Sequence, residues 1–289
     1  GLRGAPVMKS RARPPVNLAI VLDRSGSMQG SKLEHAKKAA KMAIERLDRS
    51  DILSVVAYDS TVQVIVPATR VSDRHEIMQS IDRLEAGSNT ALFAGVSKGA
   101  QEVRKFFEPN RVNRIILLSD GLANEGPSSP EELGELGASL GREGISVTTL
   151  GLGLGYNEDL MSQLARRSDG NHAFIEQPEE LAKVFNLEFG DVLSVMAQEV
   201  RLTVDCDQMT PIRALGRDVT IRGRQIIAEL NQLYANQEKF ILVEVRVDRE
   251  LNPQRKPEAK IEVRYRNMVA EKQDTLASAL SLEYTRDAK

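Results

Sequence analysis

The sequence predicts a doubly wound α/β domain followed by an antiparallel, sandwich-like β domain. Between about residues 15 and 190, short aliphatic runs alternate with longer segments whose apolar residues recur with the helical period, and most of the runs are mainly apolar without strict alternation. That combination is typical of β-α-β units around a mostly parallel sheet that is covered on both faces. After Gly190 the apolar residues alternate with polar ones instead, which indicates antiparallel strands.

Six short runs are predicted as the strands of the first domain: Leu18–Leu22, Ile52–Tyr58, Val62–Val66, Ile115–Ser119, Ser146–Leu150 and Ala173–Ile175. The third run follows the second after only Asp59 to Thr61, which is too short for a parallel crossover. We therefore expect the third run to be antiparallel and to form an edge of the sheet.

Polar residues ahead of the apolar helical stripes mark where helices begin. The sequence offers capping boxes, an Asp or Asn before the first turn, and a proline at a first helical position. These signals predict helix starts at Ser31, Asp73, Ser129 and Asn157, and a last helix after Pro178.

The pattern divides the chain into an N-terminal extension (1–14), the α/β domain (15–190) and the β domain (191–289). Since the first predicted strand begins only after Pro15, the extension is a candidate to supply a strand to the β domain. The last segment fits two patterns, because Leu276, Leu280 and Tyr284 recur at a helical spacing, whereas Leu276, Ser278, Leu280, Leu282 and Tyr284 alternate as in a strand. We prefer the strand and expect it to pair with Lys260–Asn267.

Composition excludes several classes of function. With 39 Lys and Arg against 41 Asp and Glu, the net charge is −2, which gives no support to non-specific nucleic-acid or membrane binding. A single Cys excludes an intrachain disulfide framework and a multi-cysteine metal site. No apolar run is long enough to predict a transmembrane helix. Four lysines of the first helix are interpreted as a solvated face: Lys32, Lys37, Lys38 and Lys41.

Polar residues follow the predicted strands at the end of the sheet where doubly wound proteins bind ligands. The first strand ends in Asp23-Arg24-Ser25-Gly26-Ser27, the fourth in Ser119-Asp120-Gly121, and the loop Gly87-Ser88-Asn89-Thr90 lies between them in sequence. Carboxylates and hydroxyls are hard oxygen donors that suit a hard cation. Because the carboxylates are few, Mg²⁺ is favoured, with Mn²⁺ or Ca²⁺ as alternatives. Arg24 occupies a variable position of this pattern and is expected to be exposed.

These three segments resemble the metal-ion-dependent adhesion site of von Willebrand factor type A (VWA) domains. The resemblance rests on Asp23-x-Ser25-x-Ser27, on Thr90 in its Gly-Ser-Asn-Thr-Ala-Leu setting, and on Asp120-Gly121, in that order along the chain. It covers about Pro15 to Gly190. It implies a Rossmann-like sheet with strand order 3-2-1-4-5-6, and a bound Mg²⁺ that recognises protein ligands through an acidic side chain. The implied metal residues are Asp23, Ser25, Ser27, Thr90 and Asp120.

The sequence therefore favours a non-enzymatic, metal-dependent module that binds a protein partner presenting Asp or Glu. Two alternatives remain open at this point. An electrophilic cation also suits a Mg²⁺-dependent phosphoryl-transfer or hydrolytic enzyme, although no basic phosphate clamp or general base accompanies the motif. In the second alternative, the chain is a structural subunit in which the metal only rigidifies the loops. The partner, the oligomeric state and the cellular compartment are not predicted.

Overall fold

The computed structural model describes residues 1–6, 13–121, 123–153, 155–216, 218–247 and 257–281. The chain divides into two compact units, an α/β unit within Ala12–Val195 and a β unit within Met196–Lys289 that also takes in Gly1–Arg11.

The described strands are numbered along the chain: β1 (Leu2–Arg3), β2 (Val16–Asp23), β3 (Ile52–Tyr58), β4 (Val62–Arg70), β5 (Val112–Ser119), β6 (Ser146–Leu152), β7 (His172–Ile175), β8 (Val195–Asp207), β9 (Met209–Leu215), β10 (Thr220–Arg222), β11 (Gln225–Tyr234), β12 (Glu238–Lys239), β13 (Leu242–Val247), β14 (Glu258–Asn267) and β15 (Lys272–Ser281). The α-helices are α1 (Ser31–Arg46), α2 (Arg74–Asp82), α3 (Leu92–Arg104), α4 (Pro130–Arg142), α5 (Glu158–Arg167) and α6 (Leu181–Val192). Short 3₁₀ turns span Gly26–Met28 and Pro178–Glu180.

One six-stranded sheet, in the order β4-β3-β2-β5-β6-β7, forms the centre of the α/β unit. β4 pairs with β3 in the antiparallel direction, whereas the other pairs are parallel. This order confirms the predicted doubly wound fold and the predicted antiparallel edge. Every residue of β2, β3, β5 and β6 is buried, which explains why apolar residues fill most positions of these strands instead of alternating with exposed polar ones.

Most of the predicted helix starts are confirmed. Ser129 forms a complete capping box with Glu132, and the side chains of Asp73 and Asn157 accept hydrogen bonds from the first turns of α2 and α5. The predicted box at Ser31 is wrong, because Gly30 is the N-cap residue and Ser31 is already helical. Gly30 has φ of 81°, a conformation open to glycine that turns the chain from the 3₁₀ turn into α1. None of the helices in the described ranges is long and apolar enough to cross a membrane.

The β unit contains a five-stranded sheet in the order β10-β11-β8-β14-β15 and two small sheets, β13-β9 and β1-β12. Each of its pairs with a described register is antiparallel. Valines of β13 pack against a buried cluster that contains Cys206 and Ile226 of the larger sheet and Met209 of β9. β15 pairs with β14 along its whole length, as predicted for the last segment; Leu282 and Tyr284 lie outside the described residues.

The N-terminal segment contributes to the β unit. Leu2 pairs with Lys239 and Arg3 with Glu238, so that β1 and β12 form a short antiparallel ladder. Residues 7–12 of the predicted extension lie outside the described part of the chain.

Candidate functional site

The register of the sheet brings the predicted site residues to one edge. β2 lies between β3 and β5, with Asp23 opposite Tyr58 and Leu22 opposite Leu118. Asp120 follows β5 directly and therefore lies beside the end of β2. The connections from β2 and β5 run to opposite sides of the sheet, which makes this edge the switch point where doubly wound folds bind ligands.

Asp23 is buried and is held by neutral donors. Its Oδ1 accepts from the backbone N–H of Ser25 at 2.8 Å, and its Oδ2 accepts from Ser119 Oγ at 2.5 Å and from Tyr58 OH at 3.3 Å. The pKa of Asp23 is raised to about 6: burial is the largest cause, the serine hydrogen bonds oppose it in part, and the nearby charge of Asp120 adds to it. A cation bound here would supply the positive charge that this carboxylate lacks.

The loop after β2 places two hydroxyls beside this carboxylate. Ser25 Oγ and Ser27 Oγ are 3.1 Å apart, and Ser27 is exposed whereas Ser25 is buried. The backbone N–H of Gly26 donates to Ser88 O at 2.8 Å, and that of Gly87 donates to Arg24 O at 2.6 Å. These two bonds fix the Gly87–Thr90 loop against the first segment of the site.

Thr90 is buried and is tied to the third segment through Asn124. The Thr90 N–H donates to Asn124 Oδ1 at 2.9 Å, and the Asn124 N–H donates to Thr90 O at 3.2 Å. Asn124 was not among the predicted site residues, although its position four residues after Asp120 in the same loop could have indicated it. Hydrogen bonds therefore join all three predicted segments.

The two carboxylate oxygens of Asp120 differ. Lys32 Nζ donates to Oδ2 at 3.0 Å, whereas Oδ1 is buried and has no hydrogen-bond partner among the described residues. The assignment of Lys32 to a solvated face is therefore wrong: its amine lies at the site. Lys37 is also not solvated, because it is buried and bonds to Glu34 and to Asp82 O.

Arg24 is not exposed as expected. Its guanidinium is an ion-pair partner of Asp59, with 3.1 Å between Nη2 and Oδ2, and both side chains are mostly buried. Gly87 closes over this pair, since a Cβ at that position would lie 2.0 Å from Asp59 Oδ2. The ion pair stiffens the loop between Asp23 and Ser25, so the role of Arg24 here is structural.

The arrangement offers carboxylate and hydroxyl oxygens to a hard cation. Two observations support that chemistry: the buried Asp120 Oδ1 lacks a partner, and the donors are those that Mg²⁺ prefers. No group of three or more His, Cys, Asp or Glu able to hold a metal occurs among the described residues, so a cation here would depend on the hydroxyls and on water. Tyr58 is no base at neutral pH, because burial and the charge of Asp23 hold its pKa well above the usual range.

Comparison with known proteins places the α/β unit in a family. The family model of the von Willebrand factor type A domain matches residues 17–187. The chain belongs to the VWA domain family. The match spans the central sheet and its helices, from the second residue of β2 into α6.

Relatives share this domain in different contexts. The uncharacterized protein sll0103 of Synechocystis is 30% identical over 281 residues, which cover 93% of this chain and 66% of that protein. Human inter-alpha-trypsin inhibitor heavy chain H3 is 28% identical over 177 residues, which cover 58% of this chain and 19% of that protein. The chain thus spans about two thirds or less of these curated relatives.

A solved VWA structure extends the similarity of fold beyond the central sheet. The von Willebrand factor type A protein from Catenulispora acidiphila superposes with a TM-score of 0.79 over 96% of this chain and 68% of its own, at 19% identity. At that identity the likeness shows the fold alone.

Proposed function

We propose that this VWA protein is a Mg²⁺-dependent protein-binding module whose cation is held by Asp23, Ser25, Ser27, Thr90 and Asp120. The observation that carries the proposal is the buried Asp120 Oδ1, which has no partner among the described residues and lies beside a second buried carboxylate. Leaving such an atom unpaired is costly unless a ligand completes its environment. Mn²⁺ and Ca²⁺ are the alternative cations.

Some residues of the chain would bind the cation, and others would hold the binding segments in place. Asp23 and Asp120 supply negative charge, Ser25, Ser27 and Thr90 supply neutral oxygens, and the bonds through Ser88 and Asn124 hold the three segments in place. A bound divalent cation supplies a Lewis-acid position that accepts a carboxylate oxygen from outside. Because the Lys32 ammonium on Asp120 offsets one of the two carboxylate charges, a bound divalent cation keeps one unbalanced positive charge, and an Asp or Glu of a protein partner is the ligand we propose.

Binding is favoured over catalysis by the immediate surroundings. The side chains that bond to the two site carboxylates are those of Ser25, Ser119, Tyr58 and Lys32. Burial and the charge of Asp23 hold the pKa of Tyr58 well above its usual range, so Tyr58 is no general base at neutral pH, and the two carboxylates themselves would be engaged by the cation. The similarity to a heavy chain of inter-alpha-trypsin inhibitor is consistent with a role in protein assemblies.

Thermal unfolding in EDTA, Mg²⁺, Mn²⁺ and Ca²⁺ tests the metal site. We expect Mg²⁺ to stabilise the parent by about 2.7 kcal/mol at a hundredfold excess over its dissociation constant. Asp23→Ala should lose this shift. Asp23→Asn, which preserves the side-chain shape should the alanine variant fold poorly, should lose it as well. Asp159→Asn, an exposed acid of α5, is the matched control and should retain it.

A displayed peptide library then tests the partner chemistry. Peptides selected in Mg²⁺ should share an Asp or Glu whose replacement by Asn or Gln abolishes binding, and binding should be lost in EDTA and in Asp23→Asn. Absence of any metal-dependent shift in the parent, or peptide binding that survives EDTA, would overturn the proposal.

A further inference from the structure

Lys32 reaches from α1 into the proposed metal site. It is the second residue of the helix, and its amine bonds to Asp120, which is 88 positions further along the chain. The end of its side chain also lies against the loop after β6: a Cβ on Gly153 would be 3.2 Å from Lys32 Cε and 3.5 Å from Nζ. The amine is therefore confined between α1, the end of β5 and this loop.

Lys32 is the charged donor of the site. Asp23 accepts its hydrogen bonds from a backbone N–H and two hydroxyls, whereas Asp120 Oδ2 accepts from the ammonium. The other cation near the motif, Arg24, is directed to Asp59 instead. The pair is asymmetric in burial, because the Asp120 side chain is 1% exposed and that of Lys32 is 28% exposed.

We propose that Lys32 sets the charge of the site, weakening metal binding while strengthening the binding of a carboxylate to the metal-loaded protein. This inference rests on the proposed function above. With Lys32 present, the two carboxylates and the ammonium leave one negative charge, and a divalent cation turns it into one positive charge. Without Lys32 the loaded site is neutral. Lys32 therefore lowers the affinity of the site for the cation and raises the affinity of the loaded site for an anionic ligand.

Lys32 and the cation can use different oxygens of the Asp120 carboxylate, so Lys32 can change the charge of the site without blocking metal binding. Oδ2 accepts a hydrogen bond from Lys32, and Oδ1 is available to the cation or to a water bound to it. Lys32 is thus a positioning residue for Asp120 as well as a fixed charge. An arginine at position 32 would preserve the charge, whereas methionine or glutamine would remove it at similar length.

Calorimetric titration with MgCl₂ and MnCl₂ tests the first effect. We expect Lys32→Met to bind either metal on the order of tenfold more tightly than the parent, because a repelling unit charge is removed from the ion's surroundings. Lys32→Gln, which retains a hydrogen-bond donor, should behave the same if the methionine variant folds poorly. Lys32→Arg should remain near the parent. Lys38→Met removes the same charge from an exposed position of α1 and should leave the affinity unchanged.

The second effect is tested with a carboxylate probe, acetyl-Gly-Asp-Gly-amide, titrated into Mn²⁺-saturated protein and followed by water-proton relaxation. The probe should bind more weakly to Lys32→Met and Lys32→Gln than to the parent. Equal or weaker metal binding in both neutral variants overturns the inference.

The two proposals fail differently. If the parent binds no metal, or if Asp23→Asn binds as well as the parent, the proposed function fails and this inference fails with it. If the parent binds metal, Asp23→Asn does not, and the Lys32 variants match the parent, only the role of Lys32 is refuted.

Discussion

Two ends of the same parallel sheet bury acids in opposite ways. At the amino end, directly before β3, Asp51 is fully buried and fully paired: Arg13 binds both of its oxygens, and the backbone N–H groups of Val16 and Asp48 donate to it at 2.8 and 2.7 Å. At the carboxyl end, Asp120 is equally buried, yet one of its oxygens has no partner among the described residues. The first arrangement is complete in itself, whereas the second requires a ligand.

The difference shows how a structural acid can be told from a functional one. Both lie at strand ends of a buried sheet, so burial alone does not separate them. Asp51 pairs with a guanidinium whose planar geometry matches a carboxylate. Both carboxylate oxygens of Asp51 already accept hydrogen bonds, so no ligand is needed to complete them. The carboxyl end combines Asp23 and Asp120, two like charges, with hydroxyls that can serve a cation. Completeness of hydrogen bonding, more than burial, distinguishes the two ends.

Asp51→Ala should cause the largest loss of stability. It would leave two backbone N–H groups without their partner and Arg13 with only Pro14 O and the exposed Asp48, which costs about 3 kcal/mol of the free energy of unfolding. Urea unfolding in EDTA measures the loss. Asp48→Ala, which removes a 55% exposed partner of the same guanidinium, should cost below about 1 kcal/mol. A change in metal affinity of the folded Asp51→Ala protein would contradict the separation of the two ends.

Asp120→Asn should show the reverse behaviour. In EDTA the substitution removes the ion pair with the partly exposed Lys32, which is destabilising, and also removes the repulsion between Asp120 and Asp23, which is stabilising. Because the two effects oppose each other, the free energy of unfolding should change by less than about 1 kcal/mol. In Mg²⁺ the variant should lack the increment of about 2.7 kcal/mol expected for the parent at a hundredfold excess over its dissociation constant. Urea unfolding with and without Mg²⁺ measures both. A loss near that of Asp51→Ala in EDTA would make Asp120 a structural acid.

The sheet could be predicted from the sequence because burial on both faces requires apolar strands. The runs Leu18–Leu22 and Ile115–Ser119 lie within β2 and β5, and the short turn after Tyr58 fixed the antiparallel direction of β4. Periodicity was less informative at helix starts. Capping signals located the Ser129 box but placed the N-cap of α1 at Ser31 instead of Gly30, because a glycine with positive φ takes the capping position there without a side chain.

The positions of the predicted site segments followed from the rule that strands of a parallel sheet end at one edge. The same rule does not predict which other residues contact these segments. Lys32 and Arg24 reach Asp120 and Asp59 through long side chains, and such contacts leave no local pattern in the sequence. The usable signal for Lys32 was its place in the first turn of a helix that begins at the same edge. Helical periodicity alone assigned it to solvent.

His172 should give the smallest effect and tests the comparison most directly, because Tyr156 links it to Gly121, the neighbour of Asp120, yet its described hydrogen bonds are internal. Thr149 Oγ1, which donates to Met161 O, lies 2.9 Å from Nδ1 and therefore accepts from it, and Tyr156 OH lies 2.9 Å from Nε2. Tyr156 in turn packs beside Gly121, where a Cβ would be 3.4 Å from Tyr156 Cβ. If completeness of bonding is the criterion, His172 is structural despite its location.

The pH dependence of stability checks this. Burial lowers the pKa of His172 below 6.5, with Glu158 opposing the shift, so the unfolded chain binds more protons than the folded one as the pH falls past 6.5. The stability that neutral His172 contributes should therefore be complete above that pH and be lost as the pH falls through the lowered pKa, whereas Asp23, whose pKa is raised to about 6, acts in the opposite direction. Urea unfolding across this range should show that the stability of His172→Gln relative to the parent rises as the pH falls, whereas the exposed His75→Gln should show no such change. The metal affinity of His172→Gln at pH 7.5 or above should equal that of the parent; a weaker affinity would place His172 in the functional site and break the rule that separates Asp51 from Asp120.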